Sequence, residues 1–223
     1  MLARYYPTPK FNTIIEPFSG SAAYTCFHLL KDPELNAILC DKDDNVAEAW
    51  DFLLKCSEDD IINYPKPKIG EYAYDFLIKT CSVSNASSKC IKMKYTERID
   101  EVFEIQKRRI LKFLNIRSRI IFKHGEYSDL ENIEGTWFID PPYQVLTTSN
   151  TPFSNGDGYS KDCGTCNINF QKLANYCKER KGQVIVCEKE GANWLPFVEF
   201  KKNKTSLNKT YKEVFWLNDF MAA

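Results

Sequence analysis

Short runs of β-branched and aromatic residues recur along the chain with helical patterns between them, and this alternation narrows the possible folds more than any other feature. "NTIIEPFSG" (12–20) predicts a first strand and residues 22–30 a helix after it; "NAILCD" (36–41) predicts a second strand and residues 45–55 its helix. "RIIFKHGE" (119–126) gives a third strand and "TWFID" (136–140) a fourth. "NFQKLANYCKERKG" (169–182) reads as a helix ending at Gly182, and "QVIVCE" (183–188) as a fifth strand. Strands that alternate with helices form a mostly parallel sheet covered by helices. The tail departs from this pattern, because "FVEFKKN" (197–203) and "YKEVFWLN" (211–218) predict an antiparallel hairpin.

Two stretches fall outside the alternation. Residues 57–118 form an excursion between the second and third strands and contain the helical "TERIDEVFEIQKRRILKFLNI". Residues 144–168, rich in Ser, Thr, Asn and Gly, are longer than an ordinary connection, a length typical of binding loops or disordered segments. With 223 residues, 43% of them hydrophobic, the chain is expected to form one domain over residues 1–223, with 57–118 as a helical insertion.

Thirty basic and thirty acidic residues cancel, so net charge does not separate nucleic-acid binders from other proteins. No apolar run reaches the eighteen or so residues of a membrane span, and "MLARYYPTPK" lacks the apolar core of a secretory signal, so a cytoplasmic protein is expected. Nine scattered cysteines among apolar neighbours suit reduced, buried thiols. The one close pair, Cys163 and Cys166, stands in a chain with only His28 and His124, and no metal site is expected.

Ligands of open α/β sheets bind beyond the carboxyl ends of the strands, so the residues just after each strand are the chemical candidates. After the first strand stands "EPFSGS" (16–21), whose Gly20 permits close backbone approach to a ligand. Asp41 follows the second, placed to accept hydrogen bonds from ribose hydroxyls. Glu126 and Tyr127 follow the third, and Asp140, Pro141, Pro142 and Tyr143 the fourth, where two prolines unable to donate to a sheet force the chain outward.

In this order these residues resemble the D12-class, Dam-like DNA adenine-N6 methyltransferases, over nearly the whole chain from Leu2 to Asn218. "EPFSGS" is similar to the family's cofactor-binding D/E-P-F-x-G-S/G, "DPPY" to its catalytic tetrapeptide, and "GQVIVCEKEGANWLPF" to small phage and prophage members. The resemblance implies a class I, Rossmann-like methyltransferase sheet closed by the hairpin, with S-adenosyl-L-methionine (AdoMet) as cofactor and double-stranded DNA as partner. It implies Glu16, Pro17, Phe18, Gly20, Ser21, Asp41, Glu126, Tyr127 and Asp140 around the cofactor, although the family more often has Asp where this chain has Glu126. It also implies a bacterial or phage-infected host, with restriction-modification one setting.

The adenine N6 lone pair is delocalised into the ring, which makes it a poor nucleophile. Asp140 and the Pro141 carbonyl are expected to accept its two hydrogens and stabilise developing positive charge, while Tyr143 stacks on the flipped base. The family normally opens with a G-G-K or G-S-K-like turn at the methionine end of AdoMet, and this chain begins at "MLARYYP", where that segment would be ending. The resulting expectation is weakened cofactor binding, with a homodimer or partner subunit as one way to complete the site.

Residues 89–123 carry eleven Lys and Arg against four Asp and Glu, which predicts a phosphate-contacting surface with Lys107, Arg108, Arg109 and Lys112 at its centre. Tyr159 and Lys161, in the polar loop after Tyr143, are candidates for base contacts. Other enzyme readings remain open: N-P-P-Y or S-P-P-Y sites methylate cytosine N4, RNA or protein glutamine, and Asp140 in first place favours adenine. A DNA-binding subunit with little catalysis of its own is the non-enzymatic alternative.

Overall fold

A computed structural model describes residues 3–66, 68–69, 72–73, 93–94, 96–144, 168–204 and 210–218. Its centre is a seven-stranded sheet. The strands in chain order are β1 (Thr13–Glu16), β2 (Asn36–Asp41), β5 (Ile120–His124), β6 (Gly135–Ile139), β7 (Gly182–Lys189), β8 (Val198–Lys204) and β9 (Thr210–Leu217), and a separate two-residue ladder joins β3 (Tyr72–Ala73) to β4 (Met93–Lys94). The spatial order is β5-β2-β1-β6-β7-β9-β8, with the first five parallel and β9 antiparallel to both of its neighbours. The expected hairpin is present, and its second strand lies between β7 and the first.

Helices cover both faces. On one, α1 (Ala23–Leu29) and α2 (Asp44–Lys55) bury Tyr24, Leu29, Val46 and Trp50 against Ile14, Leu39 and Phe138. On the other, the helix at Phe170–Glu179 lays Leu173, Ala174, Tyr176 and Cys177 over Ile15, Trp137, Ile139 and Val186. Fully burying a side chain of this size stabilises by roughly 1.5–3 kcal/mol, so Trp137, wholly enclosed, is a principal anchor.

The insertion contributes α3 (Glu58–Ile62), begun by a Ser57–Asp60 capping box, and α4 (Glu97–Phe113). They meet through Ile61 and Phe103, which with Cys56 form a satellite core. The helix at Phe170–Glu179, α5, stops at Glu179 rather than at Gly182. Gly182 instead opens β7 at φ +97°, where an added Cβ would lie 2.3 Å from the Gly135 carbonyl, so the glycine is required by close strand pairing and not by a helix cap. Among the described residues no helix is long and apolar enough to cross a membrane.

Candidate active site at the strand switch point

The sheet order reverses between β1 and β6: β2 and β5 lie to one side of β1, β7 and β9 to the other side of β6. Open α/β sheets bind ligands in the crevice outside such a point. The "EPFSGS" turn leaves β1 there and Asp140-Pro-Pro-Tyr143 leaves β6 beside it, since β1 and β6 are paired neighbours.

The first turn is held from several sides. Ser19 N donates to the Cys40 carbonyl at 2.9 Å, the Trp50 indole donates to the Gly20 carbonyl at 2.8 Å, and Gly20 N donates to Asp41 Oδ2 at 2.9 Å. Gly20 sits at φ +43°, with no atom within 4 Å of where a Cβ would lie. Pro17 is buried, Phe18 half-buried and Ser21 exposed. Ser19, which sequence reasoning passed over, buries a hydroxyl that has no hydrogen-bond partner among the described residues. An open glycine turn beside an unsatisfied hydroxyl is a backbone cradle with polar capacity to spare.

Glu16 has a structural duty. Its Oε1 accepts the Thr25 amide at 2.8 Å in the first turn of α1, and only 2% of the residue is accessible. Burial pushes its carboxyl up to about 8, with the Thr25 hydrogen bonds opposing and Asp140 adding to the rise. Asp41 is likewise engaged, with Oδ1 accepting the Asp43 amide at 3.0 Å while Oδ2 takes Gly20. Each oxygen keeps a second lone pair for a ribose hydroxyl. Glu126 is exposed and pairs with Lys42 at 3.3 Å, and Tyr127 lies 5.1 Å from the Phe18 ring. The two rings form an apolar wall beside the turn.

Pro141 and Pro142 are buried, which fixes the path of the tetrapeptide. Asp140, between buried Ile139 and buried Pro141, is exposed. Removal from bulk water raises it to about 7; the charges of Glu213 and Glu188 add to the rise, and a hydrogen bond from the Tyr143 hydroxyl opposes it. Tyr143 therefore binds Asp140 through its oxygen as well as offering a ring.

Glu188, entirely buried near the end of β7, secures the chain just beyond the tetrapeptide. Its oxygens accept the Gln144 amide at 3.0 and 3.2 Å, the Trp194 indole at 2.9 Å and the Lys189 amide at 2.8 Å. Sequence reasoning missed this residue, which is the last buried position of β7. It also missed Glu213 and Tyr6, whose hydroxyl donates to Glu213 at 3.0 Å. The signal for Glu213 was an acid sharing strand parity with Phe215 and Leu217.

The basic residues of the insertion are not gathered at this edge. The Lys107 ammonium donates to the Ile62 carbonyl and Arg108 to Glu104. Arg117 and Arg119 are likewise turned inward, onto the carbonyls of Cys56 and of Leu29, Asp32 and Leu35. Arg109 and Lys112 are exposed, with Lys112 in the last turn of α4, from which the chain enters β5 at the amino edge of the sheet, the end opposite Asp140. Helix-end carbonyls thus bind several of these cations, each of which keeps its charge and further donors. Tyr159, Lys161, Cys163 and Cys166 lie outside the described residues; among the described residues no His, Cys, Asp and Glu group forms a metal-binding cluster.

Glu16, Asp41, Asp140, Glu188 and Glu213 stand at the carboxyl edge on β1, β2, β6, β7 and β9, with Lys42 and Lys189 at the same strand ends. No protein-family model matches the chain, and no curated protein matches it.

Proposed function

We propose that this protein is an AdoMet-dependent DNA adenine-N6 methyltransferase. The observation that carries the reading is the placement of "EPFSGS" and Asp140-Pro-Pro-Tyr143 on either side of the switch point. Five parallel strands closed by an antiparallel pair agree with the class I methyltransferase layout.

The residues fit the cofactor. The Gly20 turn leaves room for a close approach, Ser19 Oγ has hydrogen-bonding capacity left, Asp41 can receive ribose hydroxyls, and Phe18 with Tyr127 offers an aromatic wall. When bound, AdoMet supplies a methyl group on a sulfonium; the acceptor's lone pair forms the new C–N bond as the C–S electron pair returns to sulfur. The protein's part is positional and electrostatic. Asp140 and the Pro141 carbonyl accept the two amine hydrogens, the buried prolines keep both acceptors in place, and Tyr143 presents a face to the base. Asp140 works as an acceptor in its ionised form, so methyl transfer weakens below about pH 7.

The test is mass spectrometry of nucleosides from a methylation-free host expressing the chain. N6-methyladenine supports the reading. N4-methylcytosine, or modified RNA or glutamine without modified DNA, assigns the same site to another acceptor.

A further inference from the structure

Gln144, the residue after Tyr143, is held from both ends. Its backbone amide donates to the two oxygens of Glu188 at 3.0 and 3.2 Å, and its side-chain Oε1 accepts the Asn193 amide at 3.1 Å. Asn193 is itself fixed, because the neighbouring Trp194 donates its indole to Glu188 and packs 5.5 Å from the Phe170 ring, while Leu195 is buried in the core. The loop after β7 and the chain after the tetrapeptide thus form one connected frame, the kind of support that holds a recognition group in a single orientation. A backbone N–H can only donate, so the atom of the Gln144 amide at Asn193 is its oxygen, and Nε2 with its two hydrogens is directed away from that loop. Among the described residues Nε2 has no acceptor, and Gln144 is only half-buried, which leaves it open to a ligand.

We propose that Gln144 is a specificity-determining residue of the acceptor site: its amide nitrogen donates to a ring nitrogen of adenine beside the amine that Asp140 and the Pro141 carbonyl hold. The inference rests on the methyltransferase reading and deepens it. Gln144 follows Pro141 by three residues, a span of at most about 10 Å, so the two acceptors and this donor stand along one short segment. Their chemistry is complementary to adenine. Its amine offers two hydrogens, and N1 and N7 lie on either side of that amine as acceptors. A base without an accepting nitrogen there leaves the Gln144 donor unpaired, which is how a polar site rejects an analogue. Tyr143 then meets the face of the base and Gln144 its edge.

The deciding experiment follows the Gln144 side-chain amide by nitrogen and proton NMR of the full chain labelled at glutamine, where it is one of four. Its signal is assigned by loss in Gln144→Glu or, should that variant not fold, in Gln144→Met. Titration with adenosine is expected to move this signal, and titration with one of 1-deazaadenosine and 7-deazaadenosine to leave it in place, which tells N1 from N7. A signal unmoved by adenosine, or moved alike by adenosine and both analogues, overturns the inference. Gln144→Glu keeps an acceptor for Asn193 and loses the donor, so single-turnover methylation of DNA should slow by about fivefold or more, the lower end for a base contact. An unchanged rate in that folded variant also overturns the inference. A signal that behaves as expected while no protein methylates DNA would leave the base contact standing and remove the methyltransferase reading.

Discussion

Asp41 fastens the Gly20 turn: its Oδ2 accepts the Gly20 amide at 2.9 Å while its Oδ1 holds the Asp43 amide at 3.0 Å. One carboxylate thereby ties the loop after β1 to the end of β2. Asp41→Ala leaves both amides without their partner, which costs about 1–3 kcal/mol for a buried, unsatisfied group. Urea unfolding should register that loss, and calorimetry should show AdoMet affinity reduced by roughly tenfold or more, each factor of ten being about 1.4 kcal/mol. Asp41→Asn, which keeps one acceptor oxygen, should be milder in both measurements.

Glu188 gathers Gln144, Lys189 and Trp194 onto one buried carboxylate. Glu188→Ala releases the chain beyond Tyr143, and misplacement by about 1 Å can cost on the order of a hundredfold in rate. Single-turnover rates should fall toward that extent, while AdoMet affinity changes little. Equal losses in both would mean that Glu188 supports the whole sheet edge and not the tetrapeptide.

Stability should fall as pH rises. Glu16 moves from 4.5 to about 8 on folding and Asp140 from 3.8 to about 7, so between these limits the folded protein holds protons that the unfolded chain has lost. The contribution of each group is full below its unfolded value and is lost as pH climbs through its folded value. Urea midpoints taken from pH 5 to 8.5 should decline, and Glu16→Gln, which retains an acceptor for Thr25, should decline less steeply. A flat wild-type profile would remove both shifts.

Arg109 and Lys112 are exposed on α4 and form no ion pair among the described residues. If they meet DNA they do so through phosphates. Replacing both with alanine should weaken cognate and random duplexes alike and reduce the salt slope by roughly 0.9 for each phosphate no longer neutralised. Turnover on bound duplex should hold, because neither residue touches the carboxyl edge. A changed sequence preference with an unaltered salt slope would place them at base edges.

The alternating pattern was enough to anticipate the strands and their covering helices, because burial on both faces leaves continuous apolar runs such as "TWFI" and "QVIV". The two turns at the switch point were legible for a related reason: proline and glycine there carry local backbone requirements that sequence displays directly. What the chain did not reveal depends on partners distant in sequence. Tyr6 and Glu213 are 207 positions apart, and their contact exists only because β9 inserts beside β7. The fate of the basic residues was hidden similarly, since the carbonyls that bind Arg119 belong to the end of α1 and the turn that follows it.

If Asp140 and its neighbours at the switch point direct methyl transfer to adenine N6, the acceptor and the carboxylate can be tested together. The most direct measurement incubates the purified full chain with AdoMet and an adenine-containing duplex, then identifies modified nucleosides by mass spectrometry, for wild type and Asp140→Ala. The expected result is N6-methyladenine from the wild type and a rate lower by about a hundredfold or more from the variant, the typical cost of one lost electrostatic partner. Equal N6-methylation by both proteins, or methyl transfer confined to an acceptor other than adenine, would contradict it.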